Sequence, residues 1–220
     1  GMENDASAVN FWVRCGEGTE LIPQLCPPGR AELLRRVQED VRTGIERYGT
    51  WTDEEGIERY CYEVDGLGGC NQMDDANVPS LLSIPYVTKT VNERIYSATY
   101  DWVWSSKNPY FSRGTAAEGI GSPHTPKDHI WPMSILVRGL VDPSQRSKAL
   151  ETVQRTTAGT GRMHESFHKN DPSRFTRKDF AWADALYKEL NTPTSRFALR
   201  IPAIWADRAA LLNELLPSVL

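Results

Sequence analysis

The sequence predicts an all-α domain of helix pairs joined by long loops. Three observations carry that prediction. Apolar residues recur at steps of three and four along several segments, the period of one helix face. Strand-type alternation is nearly absent. The segments between the periodic stretches are long and rich in glycine, proline and serine, and no fixed period marks a solenoid.

Residues 1–29 read as irregular, broken by Gly16, Gly18, Pro23, Pro27 and Pro28. A helix is expected over about 30–48, where Leu34, Val37, Val41, Ile45 and Tyr48 form one stripe and Gly49 ends it. Residues 50–78 are polar and glycine-rich. Within them Tyr60 to Asp65 reads as a short extended piece and Gly66-Leu67-Gly68-Gly69 as a turn. Pro79 suits the first position of a short helix to Ser83, closed by Pro85. Thr90-Val91-Asn92-Glu93 has capping-box spacing and opens a helix of about 91–105, with Ile95, Ala98, Thr99 and Trp102 on one face. Residues 106–127 read as one long loop, a length that points to function in a compact domain. A hydrophobic helix of about 129–140 follows, with Pro132 in its first turn, then Asp142-Pro143 and a polar helix of about 144–157. The next loop carries Glu165 between Gly159-Thr160-Gly161 and Phe167. Thr176-Arg177-Lys178-Asp179 is a second capping signal before a helix of about 177–190, and a last helix is expected over about 204–215.

Composition narrows the function classes. With 40% hydrophobic and 25% charged residues the chain reads as a soluble, globular protein. Its net charge of −4, without a Lys/Arg block, leaves no footprint for nucleic acid. No apolar run approaches the roughly 20 residues of a membrane span, and no signal peptide is visible. Of the cysteines, Cys61 and Cys70 are spaced for a small disulfide loop, and the four do not match a zinc site. A chain of 220 residues needs no staples, so free thiols are expected at Cys15, Cys26, Cys61 and Cys70.

Three loops gather acids in sharply turning surroundings: Glu63 and Asp65 before Gly66, Asp74 and Asp75 before Asn77 and Pro79, and Glu165. His124 and His164 stand in two loops of the same character. Asp75 or Asn77 also fits a helix cap, where a short polar side chain satisfies free N–H groups. Hard oxygen ligands would suit calcium, but the EF-hand spacing is absent. His164-Glu165-Ser166-Phe167-His168 has the H-E-x-x-H spacing of a zinc protease. That motif needs a helix, which Pro172 and the preceding glycines oppose, and no third ligand is evident. Trp131 and Trp182 read as core more readily than as sugar platforms.

The order of these strings carries a resemblance. Tyr62-Glu63-Val64-Asp65-Gly66-Leu67-Gly68 is followed by Met73-Asp74-Asp75-Ala76-Asn77-Val78-Pro79-Ser80-Leu81-Leu82 and Asn108-Pro109-Tyr110-Phe111. Then come Gly119-Ile120-Gly121-Ser122-Pro123-His124-Thr125, Ile130-Trp131-Pro132, Gly159-Thr160-Gly161, Met163-His164-Glu165-Ser166-Phe167 and Phe180-Ala181-Trp182-Ala183. Over roughly 30–190 the chain resembles glycoside hydrolase family 125, exo-acting α-1,6-mannosidases. The resemblance implies an (α/α)6 barrel, an inverting mechanism, α-1,6-linked mannosides as substrates, and no metal or other cofactor. It makes Glu165 the general base. Asp65, Asp74, Asp75, Asn77, His124, Thr125 and His164 become candidates for binding sugar hydroxyls or supporting those that do.

The family's general acid lies in a string similar to Phe-Arg-Pro-Ser-Asp-Asp-Ala, which is absent from these 220 residues. The resemblance therefore implies the C-terminal half of a barrel, with residues 1–29 and 191–220 unmatched. A half-barrel would expose apolar faces, so self-association or a missing N-terminal half is expected as partner. Without the acid the chain by itself is expected to be weak or inactive. The alternative is a non-catalytic, mannoside-binding remnant.

Overall fold

Helix α1 runs from Pro28 to Tyr48, in line with the apolar stripe and with proline's tolerance at a helix start. The computed structural model describes residues 28–88 and 91–192. The helix expected over 204–215, together with Cys15 and Cys26, lies outside them. The chain divides into two units, one ending at Gln72 and the other beginning at Met73.

In the first unit, α1 turns sharply at Gly49. The Gly49 N–H donates to the Ile45 carbonyl at 2.7 Å, and a Cβ on Gly49 would stand 2.7 Å from the same oxygen. Only glycine fits that exit. Strands β1 (Thr50–Thr52) and β2 (Glu58–Tyr60) form an antiparallel hairpin with Thr50 opposite Tyr60. Its turn is held by Asp53, whose Oδ1 accepts from the N–H groups of Glu55 and Ile57. A second hairpin pairs β3 (Glu63–Val64) with β4 (Cys70–Asn71). This pairing corrects the expectation of free thiols for one pair: Cys61 and Cys70 are disulfide-bonded, with Cα atoms 5.5 Å apart. The hairpin brings the two cysteines to bridging distance, which chain length does not report.

In the second unit, α4 (Pro132–Val141) is the centre. Nine of its ten residues are buried. It packs on α5 (Arg146–Arg155) and α6 (Ala181–Asn191). Gly139 permits the approach, since a Cβ there would lie 2.9 Å from both Ala149 on α5 and Leu190 on α6. Helix α3 (Glu93–Val103) buries Ile95, Tyr96, Thr99, Tyr100, Trp102 and Val103. Its N-cap is Asn92, whose side chain accepts from the Ile95 N–H at 3.3 Å. The short helix near Pro79 lies further along than expected, as α2 (Ile84–Val87), with Pro85 inside its first turn. Ser80 and Ser83 exchange side-chain-to-backbone hydrogen bonds and use residues 80–83 as a turn instead.

The remaining segments contradict an all-α fold. Strands β5 (Phe111–Arg113) and β6 (Glu118–Ile120) form a hairpin inside the segment expected to be a loop. Strands β7 (His129–Ile130), β8 (Ser166–His168) and β9 (Asp171–Thr176) form a three-stranded antiparallel sheet. Six helices and four small sheets are present among the described residues. That content is a mixed α/β arrangement, not the helix pairs of a complete or half (α/α)6 barrel. These strands run two to six residues, too short for alternation to register against the flanking glycines. The second capping signal also serves another purpose. Thr176 ends β9, and α6 begins only at Ala181, with Phe180 at the N-cap and no side-chain cap.

Candidate active site

The loops singled out in the second unit are tied together by backbone hydrogen bonds. Ala76 N–H donates to Gly121 O at 3.0 Å, and Gly121 N–H donates to Tyr110 O at 2.8 Å. Trp131 N–H donates to Ile120 O at 3.1 Å, leading into β7. Strand β7 pairs with β8, His129 opposite His168, and Glu165 immediately precedes β8. Asp74, Asp75, Asn77, His124, Thr125, His164 and Glu165 therefore belong to one connected set of loops. Asp65 stands in the other unit.

Glu165 is fixed by its backbone, and among the described residues no backbone N–H donates to its carboxylate. Its N–H donates to the carbonyls of both Thr176 and Arg177, each at 3.2 Å. Its side chain is 12% exposed, and its Oε1 lies 3.3 Å from Arg177 Nε. Arg177 is a partner that local sequence did not reveal. The β8–β9 pairing brings it there, and it extends over the Phe180 ring, with its guanidinium carbon 5.9 Å from the centroid. Phe180 in turn meets Trp131 edge-on at 5.6 Å, and Trp131 Nε1 donates to Thr125 Oγ1 at 2.9 Å. One aromatic relay thus connects Thr125 to the neighbourhood of Glu165. His124, beside Thr125, is exposed, and its N–H donates to Ser122 Oγ at 3.3 Å.

The other acids are occupied by the backbone. Asp74 is fully buried and accepts from Leu81 N–H at 2.8 Å and Leu82 N–H at 3.0 Å. Burial pushes its carboxyl up to about 8, against the pull of those two N–H groups. Its own N–H donates to Oδ1 of the buried Asn108, which also donates from Nδ2 to Val103 O at 3.0 Å and so pins the segment to the end of α3. Asp75 accepts from Asn77 N–H at 2.6 Å and Asn77 Nδ2 at 3.2 Å. Asp65 is exposed and closes its turn by accepting from Leu67 N–H at 2.7 Å and Gly69 N–H at 2.8 Å. Those two backbone donors hold its carboxyl below the usual range. Gly66 and Gly68 carry the positive φ angles of that turn, 74° and 99°.

His164 is 1% exposed, and its two ring nitrogens face the carbonyls of Lys178 at 2.9 Å and Thr157 at 3.1 Å. Its ring stacks on Phe175 with centroids 3.8 Å apart. Both ring nitrogens are thus engaged with backbone. Ser166, wholly buried, bridges His129 Nδ1 at 3.0 Å and Thr176 Oγ1 at 2.7 Å. Burial, then the nearby charges of His168 and Arg174, hold the His129 imidazole below its usual range. This Ser166–His129 contact was not legible from the string containing Ser166, because His129 enters from another strand. His168 sits on strand β8, so the H-E-x-x-H spacing does not fall on a helix. Among the described residues no three His, Cys, Asp or Glu side chains gather to hold a metal ion. None of the described helices is long and apolar enough to cross a membrane.

Residues 11–191 match the model of a family described as metal-independent alpha-mannosidase, GH125. The chain is 37% identical over 199 residues to the meiotically up-regulated gene 157 protein of Schizosaccharomyces pombe, covering 85% of this chain and 39% of that protein. It is also similar to a solved structure of a Streptococcus pneumoniae metal-independent alpha mannosidase in a non-productive substrate complex with alpha-1,6-mannobiose. That similarity has a TM-score of 0.76 and 36% identity, over 84% of this chain and 44% of the other. The chain thus spans less than half the length of both relatives.

Proposed function

Because the chain belongs to the metal-independent α-mannosidase family GH125, we propose that it carries the general-base part of a glycoside hydrolase that removes terminal α-1,6-linked mannose with inversion. Glu165 is the base. One observation carries that assignment. Of Asp65, Asp74, Asp75 and Glu165, only Glu165 keeps its carboxylate clear of hydrogen-bond donors on the backbone, with the Arg177 cation as its partner among the described residues. A general base needs free lone pairs for the proton of the attacking water.

The other residues divide by what holds them. Asp74 and Asp75 shape the 73–82 segment, and His164 fixes the loop that presents Glu165. His124, Asn77 and Thr125 are only partly enclosed or exposed and bind sugar hydroxyls, whereas Asp65 closes its own turn in the other unit. Support for the α-1,6-mannoside comes from the mannobiose named in the similar structure. Inversion places the base about 6.5–9.5 Å from an acid that protonates the leaving oxygen. The family string bearing that acid is absent from these 220 residues. Because general acid catalysis contributes about 10²–10⁴-fold, the chain by itself turns over slowly.

The test is mannose release from α-1,6-mannobiose, followed by chromatography, with the configuration of the released sugar read by NMR. Slow release of the inverted anomer is expected, falling at least about 10²-fold in Glu165→Gln while mannobiose still binds. Binding without release, unchanged by that substitution, would instead establish a mannoside-binding remnant.

A further inference from the structure

A cavity of about 280 Å³ lies in the second unit between the β5–β6 hairpin and helices α4 and α5, and Glu165 is not in its wall. Its lining holds four cations, Arg113, Arg138, Lys148 and Arg155, against a single carboxylate, Glu118. We infer that this cavity binds a phosphate group, either free phosphate or the phosphate of a small monoester.

Glu118 is already neutralised from several sides. Its Oε2 accepts from Arg113 Nε at 2.8 Å, and its Oε1 lies 3.2 Å from Lys148 Nζ and 3.5 Å from Arg138 Nη1. Burial acts to raise its carboxyl, but the hydrogen bonds from Lys148, Trp104 and Arg113 hold it below the usual range. The carboxylate therefore orders the cations without cancelling them. Arg113 spends only Nε on it, and Arg155 spends one Nη on the Ala116 carbonyl at 3.0 Å. Both keep further N–H donors unspent among the described residues, as does the Lys148 ammonium.

Arg138 is held in place before any ligand arrives. Its guanidinium lies 4.3 Å from the Trp104 ring centroid, and its Nε donates to Tyr100 Oη at 3.0 Å. Fixed guanidinium groups match the oxygens of phosphate, and a preset arrangement lowers the ordering cost of binding. The volume sits just under the roughly 300–1,000 Å³ of most ligand pockets, so the ligand is small.

Isothermal titration at low salt tests this with inorganic phosphate, glucose 6-phosphate and, as the uncharged control, glucose. Saturable binding of glucose 6-phosphate is expected, with no response to glucose. The double variant Arg113→Gln/Lys148→Gln should weaken it at least tenfold. Both side chains are mostly exposed, 70% and 65%, and Arg138 still faces Glu118 in the variant, so it should stay folded, as thermal melting reads. Phosphate binding weaker than the ester assigns the monoester as occupant, and equal binding assigns free phosphate. No saturable binding of either, or equal binding by the folded double variant, overturns the inference. Mannoside turnover is not read, so the result is independent of the proposed activity.

Discussion

Arg177 Nε stands 3.3 Å from Glu165 Oε1, and the residue that supplies it has a φ of 39°. Left-handed backbone costs a non-glycine residue roughly 1–2 kcal/mol. The strained residue thus follows β9 directly and faces the candidate base.

Arg177→Gly separates the two roles of that residue. Glycine removes the backbone cost, so the variant should be more stable by up to about 1 kcal/mol, read as a higher urea midpoint. Mannoside turnover should fall, but by no more than about fivefold, because the guanidinium is largely exposed and such pairs contribute about 0.2–1 kcal/mol. Arg177→Lys should keep more of the turnover than Arg177→Gly. Unchanged turnover in both would remove Arg177 from the site.

Asp74 gives the chain a pH signature. Its folded carboxyl is raised to about 8 by burial, so the native state binds a proton that the unfolded chain releases near pH 4. The stability it contributes is full below about pH 4 and is lost as pH rises through about 8. The urea midpoint should therefore fall between pH 5 and pH 8, with a slope of at most about 1.4 kcal/mol per pH unit from this group. Asp74→Asn should flatten that slope. It should also cost about 1–3 kcal/mol, since an amide donor then faces a backbone N–H.

Gly121 is the knot between loops. A Cβ there would stand 2.3 Å from the His129 carbonyl, which is backbone and cannot step aside. Gly121→Ala should destabilise the chain by about 1–3 kcal/mol and weaken mannoside binding, because the bonds to Ala76 and Tyr110 both pass through this residue. Thermal melting and mannobiose titration read the two effects. A neutral result in both would show that the loops are not coupled through Gly121.

The Cys61–Cys70 bond closes a loop with a sequence separation of 9 residues. Loops of this size contribute roughly 2–3 kcal/mol by limiting the unfolded chain. Cys61→Ser/Cys70→Ser should lower the melting temperature and increase proteolysis within residues 61–70. Intact mass under non-reducing conditions should show the bond in the parent chain and its absence in the variant.

Much of the helical framework was legible from residue spacing. The stripe from Val37 to Tyr48 lies within α1, and the apolar run around Ile135 within α4. Asn92 took the cap inside a segment whose polar residues already marked a helix start. Strands β7 and β8 were not legible, because two and three residues are too few to alternate visibly. Thr176-Arg177-Lys178-Asp179 fits a capping box by spacing alone, yet pairing with β8 takes Thr176 into a strand.

The sequence by itself determined the family, through ordered strings such as Met73 to Leu82 and Met163 to Phe167, and it drew attention to Glu165. Only the tertiary structure decided which acids the backbone occupies. Asp74 and Glu165 are both acids within loop strings that carry the family resemblance, and their side chains alone do not distinguish them. Burial beneath the Leu81 and Leu82 amides commits one to holding a loop. The β8–β9 register sets the other beside the Arg177 guanidinium. Hydrogen-bond occupancy depends on which backbone groups arrive from elsewhere in the chain, and no local pattern of residues encodes that.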